Sequence, residues 1–260
     1  MNKNKRRDSR KISFVVGWFF CCTVLQAQNK EVKLHSHNDY AQNVPFWNAY
    51  AQEVNSIEID LVLVDKALFV AHDLEDVSVE RTLERLYMKP LQEAVEMRFG
   101  NPQGLQFLID LKGDAMQSMV LLLPILEKYE DLITKNKITF VISGNKPVLS
   151  YFLNLPAYVQ IDLQVQDILT TEVGMQEKIG LISYNFQSIS TWNGNEKMDE
   201  KEQEEIRRLI AKAHQMDKPI RFWATPDTEE AWKMLYELKV DFINTDQPAA
   251  LRILIQSYFL

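Results

Sequence analysis

The sequence predicts an α/β protein with a single (β/α)8 TIM-type barrel, and three observations lead to this prediction. Short apolar segments alternate with amphipathic segments, the order of elements that produces a parallel sheet. The apolar segments number eight, and eight strands close a barrel of this type. The alternative, an open doubly wound sheet, would carry a glycine-rich phosphate turn after its first strand. Residues 35–43, which follow that strand, contain no glycine.

The predicted elements follow one another along the whole chain. The strand candidates are residues 32–37, 56–64 with an apolar continuation at 67–72 counted in the same unit, 106–112, 138–143, 158–163, 179–184, 220–224 and 241–244. Between them, apolar residues recur at the three- and four-residue spacing of helices that pack one face on a sheet. Such helical candidates are residues 45–54, 79–99, 115–133, 199–216 and 228–238.

The N-terminus has the layout of a secretory signal peptide over residues 1–28, so we expect the barrel domain to comprise residues 29–260. A basic region is followed by an apolar run at residues 12–25 and by small and polar residues near a cleavage site. The alternative is an uncleaved membrane anchor, but the run is shorter than the roughly 20 residues of a bilayer span. The sequence therefore predicts a secreted or periplasmic protein without stable membrane insertion after cleavage.

Charge argues against a nucleic-acid partner. The segment 1–28 carries six Lys or Arg residues and one Asp, so removing this net charge of +5 takes the formal charge of the chain from −7 to −12. Nucleic-acid binding depends largely on basic surfaces. Both cysteines, Cys21 and Cys22, lie in the same segment, so the exported product is expected to have no disulfide bond.

Polar residues collect at the predicted strand ends, where (β/α)8 barrels carry their active sites. His35 and His37 are two residues apart at the end of the first strand, so they share a face. Glu58 and Asp60 share a face of the second strand, whose other face is apolar. Two acids on a buried strand are costly unless paired or bound to a metal. A structural salt bridge is one interpretation, and a site for a hard cation is the one we favour.

The next strand ends extend this cluster. His72 follows the apolar continuation of the second strand, and Asp110 and Lys112 share a face of the third. A lysine beside a metal-binding acid suits an anionic phosphate. Two histidines can serve as base and acid near neutral pH, and a divalent cation can activate a hydroxyl or water. Together these residue types suit the cleavage of a phosphodiester.

Six motifs connect the sequence to a known family, and they span residue 31 to the C-terminus. They are residues 35–40 (HSHNDY), 56–73, 82–91, 107–114, 221–227 with Trp232 after it, and 240–248. Together they resemble the phosphatidylinositol-phospholipase-C-like phosphodiesterase superfamily. The most similar branch is the altered-inheritance-of-mitochondria protein type, related to glycerophosphodiester phosphodiesterases. The resemblance implies a TIM-type barrel that cleaves phosphodiesters with two histidines and, in most branches, Ca²⁺ or Mg²⁺.

The resemblance also implies roles for individual residues. His37 corresponds to the first catalytic histidine and Asn38 to a calcium ligand, while His35 is the rival for the catalytic role and otherwise a substrate-binding candidate. His72 corresponds to the second catalytic histidine. Asp246 falls in a motif whose aspartate is structural.

Further positions complete the implied site. The resemblance assigns metal ligands to Glu58, Asp60 and Asp110, and a phosphate-binding lysine to Lys112. Trp223 matches an aromatic residue that lines the site in relatives, with plain core packing as the alternative. The family's glycerophosphodiester branch usually has Arg directly after the first histidine, where this chain has Asn38, so the substrate's alcohol groups stay open.

The sequence therefore predicts a secreted, metal-dependent phosphoric diester hydrolase acting on a phospholipid or glycerophosphodiester-like substrate. Two alternatives stay open at this point. One is a barrel that binds a phosphorylated ligand without turnover. The other is an amidohydrolase-type metal barrel, suggested by His35 and His37. That architecture requires further metal-binding histidines at later strand ends. The one histidine after His72 is His214, which lies in a helical segment. The metal's identity, the first product and the oligomeric state are left open.

Overall fold

The structure is a computed structural model that describes residues 32–164 and 175–259. The predicted signal peptide and both cysteines lie outside the described residues, so these assignments stay predictions. No helix in the described part of the chain combines the length and the apolar character that a membrane crossing requires.

The described residues form nine strands. In chain order they are β1 (Lys33–Ser36), β2 (Ser56–Val64), β3 (Ala67–Val70), β4 (Gln106–Leu111), β5 (Thr139–Gly144), β6 (Val159–Gln164), β7 (Ile179–Asn185), β8 (Ile220–Trp223) and β9 (Phe242–Thr245). All except β3 pair in parallel around a closed ring. The ring closes at β1, where His35 is in register with Ser56 of β2 and with Asn244 of β9. The predicted (β/α)8 barrel is confirmed.

The predicted continuation of the second strand is a separate strand that reverses direction. β3 runs antiparallel to the second half of β2, with Val64 opposite Ala67. Asp65 and Lys66 form the two-residue turn, with φ values of 44° and 65°. Tight hairpins require such positive φ values, but glycine or asparagine usually supplies them. Because β3 folds back along β2, the chain after β3 returns to the level of Asp60.

Helices cover the outside of the barrel. They are α1 (Trp47–Ala51), α2 (Lys89–Glu96), α3 (Ala115–Lys128), α4 (Glu130–Lys135), α5 (Glu200–Gln215), α6 (Glu229–Glu237) and α7 (Pro248–Leu254). Five of them (α1, α2, α3, α5 and α6) fall within the predicted helical segments, and α4 extends two residues beyond one. α2 is preceded by a π-helical turn at Glu84–Met88. Side-chain caps begin three of them: Asp114 for α3, Asp199 for α5 and Thr228 for α6. Such a cap accepts a hydrogen bond from an otherwise unpaired N–H of the first turn.

Alternation along the strands separates the core from the site. On β2, Ile57 and Ile59 are fully buried in the main core with the helices, so Glu58 and Asp60 point into the barrel. A small apolar cluster lies inside the barrel, formed by Leu108, Val141, Leu181 and Phe242. Each of these residues is followed two positions later by a polar one, namely Asp110, Ser143, Ser183 and Asn244. The barrel interior is therefore apolar at its base and polar toward the carboxyl ends of the strands.

Candidate active site

A cavity of about 410 Å³ opens among the residues at the carboxyl ends of the strands. Its walls are formed by His37, Asn38, Glu58, His72, Asp110, Lys112, Ser143, Gly144, Lys146, Asp162, Gln164, Arg221 and Trp223. Seven of the nine site residues proposed from the sequence are among them. The other two, His35 and Asp60, are buried and contact wall residues from behind.

His72 is held on one side of the cavity by Asp60. Its Nδ1 lies 2.8 Å from Asp60 Oδ2, and more than half of the imidazole is exposed. The Tyr40 hydroxyl also donates to Asp60 Oδ2, at 2.8 Å, and lies 3.0 Å from Asn38 Oδ1. Burial and the charge of Asp60 raise the pKa of Tyr40, so this hydroxyl stays a donor. Asp60 therefore orients His72 while Tyr40 orients Asp60.

His37 is held on the other side by Asp246. Its Nδ1 lies 2.7 Å from Asp246 Oδ1, and 29% of its side chain is exposed. Burial alone would lower the pKa of His37, but the hydrogen bond to Asp246 and the charge of Glu58 outweigh it and raise the pKa above 6.5. Asp246, which the family motif suggested to be structural, thus directly contacts a candidate catalytic residue.

The loop after β1 is fixed by side chains of its own. Asp39 is fully buried and accepts hydrogen bonds from Ser36 Oγ at 3.1 Å and from the backbone N–H of Phe46 at 2.7 Å. Asn38 adopts a left-handed conformation with φ of 43°, which asparagine tolerates better than most residues. This local structure turns Asn38 and His37 into the cavity.

Three carboxylates form an acidic cluster at the cavity wall, where Glu58 and Asp110 line the cavity and Asp60 lies behind them. One oxygen from each of Glu58, Asp60 and Asp110 lies within 4.8 Å of the others, an arrangement that could hold a metal ion. Lys112 Nζ lies 3.1 Å from both Asp60 Oδ2 and Asp110 Oδ2. Burial would lower the pKa of Lys112, but the charges of Asp60 and Asp110 raise it, so Lys112 stays charged.

Glu58 is fixed from behind by a buried pair of side chains. Its Oε2 lies 2.7 Å from His35 Nε2 and 2.5 Å from Arg221 Nη1, and Arg221 lies 2.6 Å from the same His35 nitrogen. Burial would raise the pKa of Glu58, but the Arg221 charge and the His35 hydrogen bond hold it well below its usual range. Burial and the Arg221 charge lower the pKa of His35 to about 4. His35 is thus a neutral group behind the cluster, without exposed surface for contacting a substrate.

The donor set fits a hard cation. The oxygens Glu58 Oε2, Asp60 Oδ2 and Asp110 Oδ2 accept the protein's hydrogen bonds. Asp60 Oδ1 is buried and has no hydrogen-bond partner among residues 32–164 and 175–259. A buried carboxylate oxygen without a donor is costly, and a cation ligated by oxygens would satisfy it.

Several residues of the site were not predicted from the sequence. Arg221 and Trp223 lie on the same inward face of β8. An arginine within an apolar strand could have indicated from the sequence that Arg221 belongs to the site. Tyr40 and Gly144 gave no comparable signal, since their contacts are with residues far along the chain. Trp223 lies in the cavity wall and is 36% exposed, so core packing does not describe it.

The histidines do not form an amidohydrolase-type set. His35 and His37 contact different partners, Glu58 and Asp246. His214, on α5, lies 2.8 Å from Asp241 Oδ2. Asp241 precedes β9 and is therefore at the opposite end of the barrel from the cavity.

Two family models match the chain. The AIM6-like phosphodiesterase domain matches residues 23–132, which include β1 to β4 with both candidate catalytic histidines and the acidic cluster. The glycerophosphoryl diester phosphodiesterase family matches residues 219–249, which include β8 and β9. Both matches are to phosphodiesterase families. The resemblance that the chain's motifs predict is confirmed.

Relatives that match most of the chain show the same similarity. The altered inheritance of mitochondria protein 6 homolog of Arthroderma benhamiae is 25% identical over 83% of this chain and 81% of the relative. The altered inheritance of mitochondria protein 6 of Kluyveromyces lactis is 24% identical over 82% of this chain and 70% of the relative.

Solved structures show the same fold as this chain. A glycerophosphodiester phosphodiesterase from Parabacteroides distasonis superposes with a TM-score of 0.60 at 13% identity, covering 89% of this chain and 99% of that one. A Ca²⁺-dependent phosphatidylinositol-specific phospholipase C from Streptomyces antibioticus superposes with a TM-score of 0.50 at 9% identity, covering 86% and 96%. The chain therefore has the barrel fold of these phosphodiesterases.

Proposed function

We propose that this protein is a divalent-cation-dependent phosphoric diester hydrolase acting on a phospholipid or glycerophosphodiester-like substrate. One observation carries the proposal. His37 and His72 face a single cavity, each held through Nδ1 by an aspartate, with an acidic cluster and Lys112 in the same wall. Similarity to phosphodiesterase families and the barrel fold support the reaction class.

The geometry assigns the reacting atom of each imidazole. Because Nδ1 of His37 and of His72 donates its proton to a carboxylate, Nε2 is the nitrogen left to face a substrate. One Nε2 takes the proton of the attacking hydroxyl or water, and the other, protonated, gives a proton to the leaving alcohol oxygen. Asp246 and Asp60 fix the two rings in these orientations.

The remaining residues bind and neutralise the phosphoryl group. Lys112 offers a fixed positive charge to a phosphoryl oxygen. Glu58, Asp60 and Asp110 would hold Ca²⁺ or Mg²⁺, with Asn38 as a further oxygen ligand. The bound cation would stabilise charge on the phosphoryl oxygens and lower the pKa of the attacking hydroxyl. Trp223 would contact one alcohol group of the diester across the cavity.

The test is hydrolysis of bis(p-nitrophenyl) phosphate by the protein lacking residues 1–28, with EDTA and then with Ca²⁺ or Mg²⁺ restored. We expect turnover that EDTA abolishes and a divalent cation restores. Glycerophosphodiesters, phosphatidylinositol and sphingomyelin then identify the alcohol groups. No turnover of any of these diesters with any cation would contradict the proposal and favour a barrel that binds a phosphorylated ligand.

We also propose that the protein is exported after cleavage of residues 1–28. The layout of this segment supports the proposal. N-terminal sequencing of the product from a cell that expresses the full chain should find a start at or near residue 29. A product that retains Met1 would contradict it.

A further inference from the structure

Lys146 is a half-buried lysine in the cavity wall, and no residue in the described part of the chain pairs with it. It lies two residues after β5 and lines the cavity together with Lys112, which follows the neighbouring strand β4. Lys146 forms no hydrogen bond or ion pair with any residue in the described ranges, 32–164 and 175–259. Lys112 and Arg221, the other cations of the wall, are each paired with carboxylates of the acidic cluster. Of the two lysines in this wall, Lys146 is therefore the one that no described residue pairs with.

The acid that shares this part of the wall does not pair with Lys146. Asp162 is fully buried, and its Oδ2 accepts a hydrogen bond of 2.8 Å from Ser143 Oγ. Asp162 Oδ1 is buried without a hydrogen-bond partner among the described residues. Burial raises the pKa of Asp162, although the charges of Arg221 and Lys146 oppose this. Asp162 is thus a weak counter-ion for Lys146, and its Oδ2 is hydrogen-bonded to Ser143.

An unpaired ammonium group in a concave wall attracts anions more strongly than one on an open surface, because less water screens its field. A simple diester phosphate bears one negative charge, which the proposed mechanism places beside Lys112 and the acidic cluster. The charge of Lys146 is then left for a second anionic group. Gln164 and Trp223 flank the same wall and provide an amide and an aromatic face for the rest of that substituent.

We propose that Lys146 binds a second anionic group, a carboxylate or a phosphomonoester, on one alcohol moiety of the diester. This inference rests on the proposed function, since it names the substrate class of the same site. It makes the protein selective for diesters whose head group carries its own negative charge.

Matched substrates test the inference by turnover. Glycerophosphoserine and glycerophosphoethanolamine differ by one carboxylate, and glycerophosphoinositol 4-phosphate and glycerophosphoinositol differ by one phosphomonoester. We expect kcat/KM to favour at least one anionic member by about fivefold, the size of a single partly exposed charge pair. Lys146→Gln should abolish the preference and Lys146→Arg should retain it. Lys212→Gln, an exposed position on α5, is the matched control and should leave the preference unchanged.

A binding measurement separates this inference from the proposed function. Calorimetric titration with O-phosphoserine and O-phosphoethanolamine, and with the two inositol diesters, needs no turnover. An anionic ligand that binds about fivefold tighter to the wild type but not to Lys146→Gln supports the inference even if no diester is cleaved. Equal affinities within both pairs, a preference that survives in Lys146→Gln, or no binding by any variant would overturn it. The pair that shows the preference identifies the anion.

Discussion

Nδ1 of His72 lies 2.8 Å from Oδ2 of Asp60, and the antiparallel return of β3 along β2 creates this contact. Asp60 also accepts a hydrogen bond from Tyr40 and forms an ion pair with Lys112. A single carboxylate thus orients a candidate catalytic base or acid and belongs to the candidate metal cluster. The two roles can be separated by mutation, because His72 itself offers nothing to the cluster.

Replacing His72 by Gln should remove turnover and preserve cation binding. We expect kcat to fall by about 10²- to 10⁴-fold, the usual contribution of a general acid or base. Affinity for Ca²⁺ or Mg²⁺, measured by calorimetry, should stay within about twofold, since Tyr40 and Lys112 still hold Asp60. His214→Gln is the matched control, because it breaks a histidine–aspartate pair at the opposite end of the barrel. An unimpaired His72→Gln enzyme would remove His72 from the mechanism.

Asp246 should act on the rate through His37. Asp246→Ala removes the acceptor of His37 Nδ1, so kcat should fall about tenfold or more, a share of the general acid–base contribution. Asp246→Asn retains an acceptor oxygen and should lose less. Because the Asp246 side chain is 61% exposed, thermal unfolding of both variants should stay close to that of the wild type. Equal rates in wild type and Asp246→Ala would show that His37 does not depend on this contact.

Gly144 should be required for the position of Asp110. Its φ is 64°, and a Cβ atom built there would lie 1.9 Å from Asp110 Oδ1. Gly144→Ala should therefore displace a candidate metal ligand and reduce cation affinity by at least about tenfold, the range seen when support of a metal ligand is lost.

Gly104→Ala provides the control for backbone strain. Gly104 also has a positive φ, 75°, but its added Cβ would meet no atom within 4 Å. Both variants should lose stability from the unfavourable φ, by roughly 1 kcal/mol in urea unfolding. Only Gly144→Ala should weaken cation binding. Similar cation affinities in the two variants would contradict a specific role for Gly144.

The barrel and most of its site could be predicted because both depend on local pattern. Alternating apolar and amphipathic segments specify parallel strands, and parallel strands bring their carboxyl ends to one edge. Glu58, Asp110, Lys112 and His72 could therefore be grouped without knowing any contact. His37 was grouped with them by its place at the end of the first strand, and the resemblance preferred it to His35 and added Asn38 as a ligand. The structure puts both His37 and Asn38 in the cavity wall.

What could not be predicted depends on contacts between distant residues. Arg221 and Glu58 are 163 positions apart, and no local sequence pattern indicates that they pair. The surroundings of His35 were hidden for the same reason, since Arg221 Nη1 also lies 2.6 Å from His35 Nε2. The reversal at Asp65 and Lys66 was equally hidden, because the turn contains neither glycine nor asparagine.

Arg221 should be essential for stability when no cation is bound. Arg221→Met leaves Glu58 buried with an unpaired charge, which costs about 3–5 kcal/mol in comparable cases. Urea unfolding in EDTA should show this loss. The double variant Arg221→Met with Glu58→Gln should recover part of it, because the buried charge is gone. Divalent cations should stabilise Arg221→Met more than wild type, and no such difference would contradict the charge-compensation role.

Asp162 should make stability depend on pH. Burial raises its pKa in the folded state above the ordinary value of 3.8. The stability contributed by its protonated form is fully present below pH 3.8 and is lost as the pH rises through the folded-state pKa. Asp162→Asn keeps an acceptor for Ser143 Oγ but cannot ionise. The variant should therefore be more stable relative to wild type at pH 7 than at pH 3.5.

Urea unfolding at a series of pH values between 3.5 and 7 measures this difference. Asp131→Asn serves as the control, since its side chain is 92% exposed on α4 and should give a nearly constant difference across the series. A constant difference for Asp162→Asn as well would mean that Asp162 ionises as easily in the folded protein as in the unfolded chain. Lys146 would then have a full counter-ion in the cavity wall, and its preference for an anionic head group should weaken accordingly.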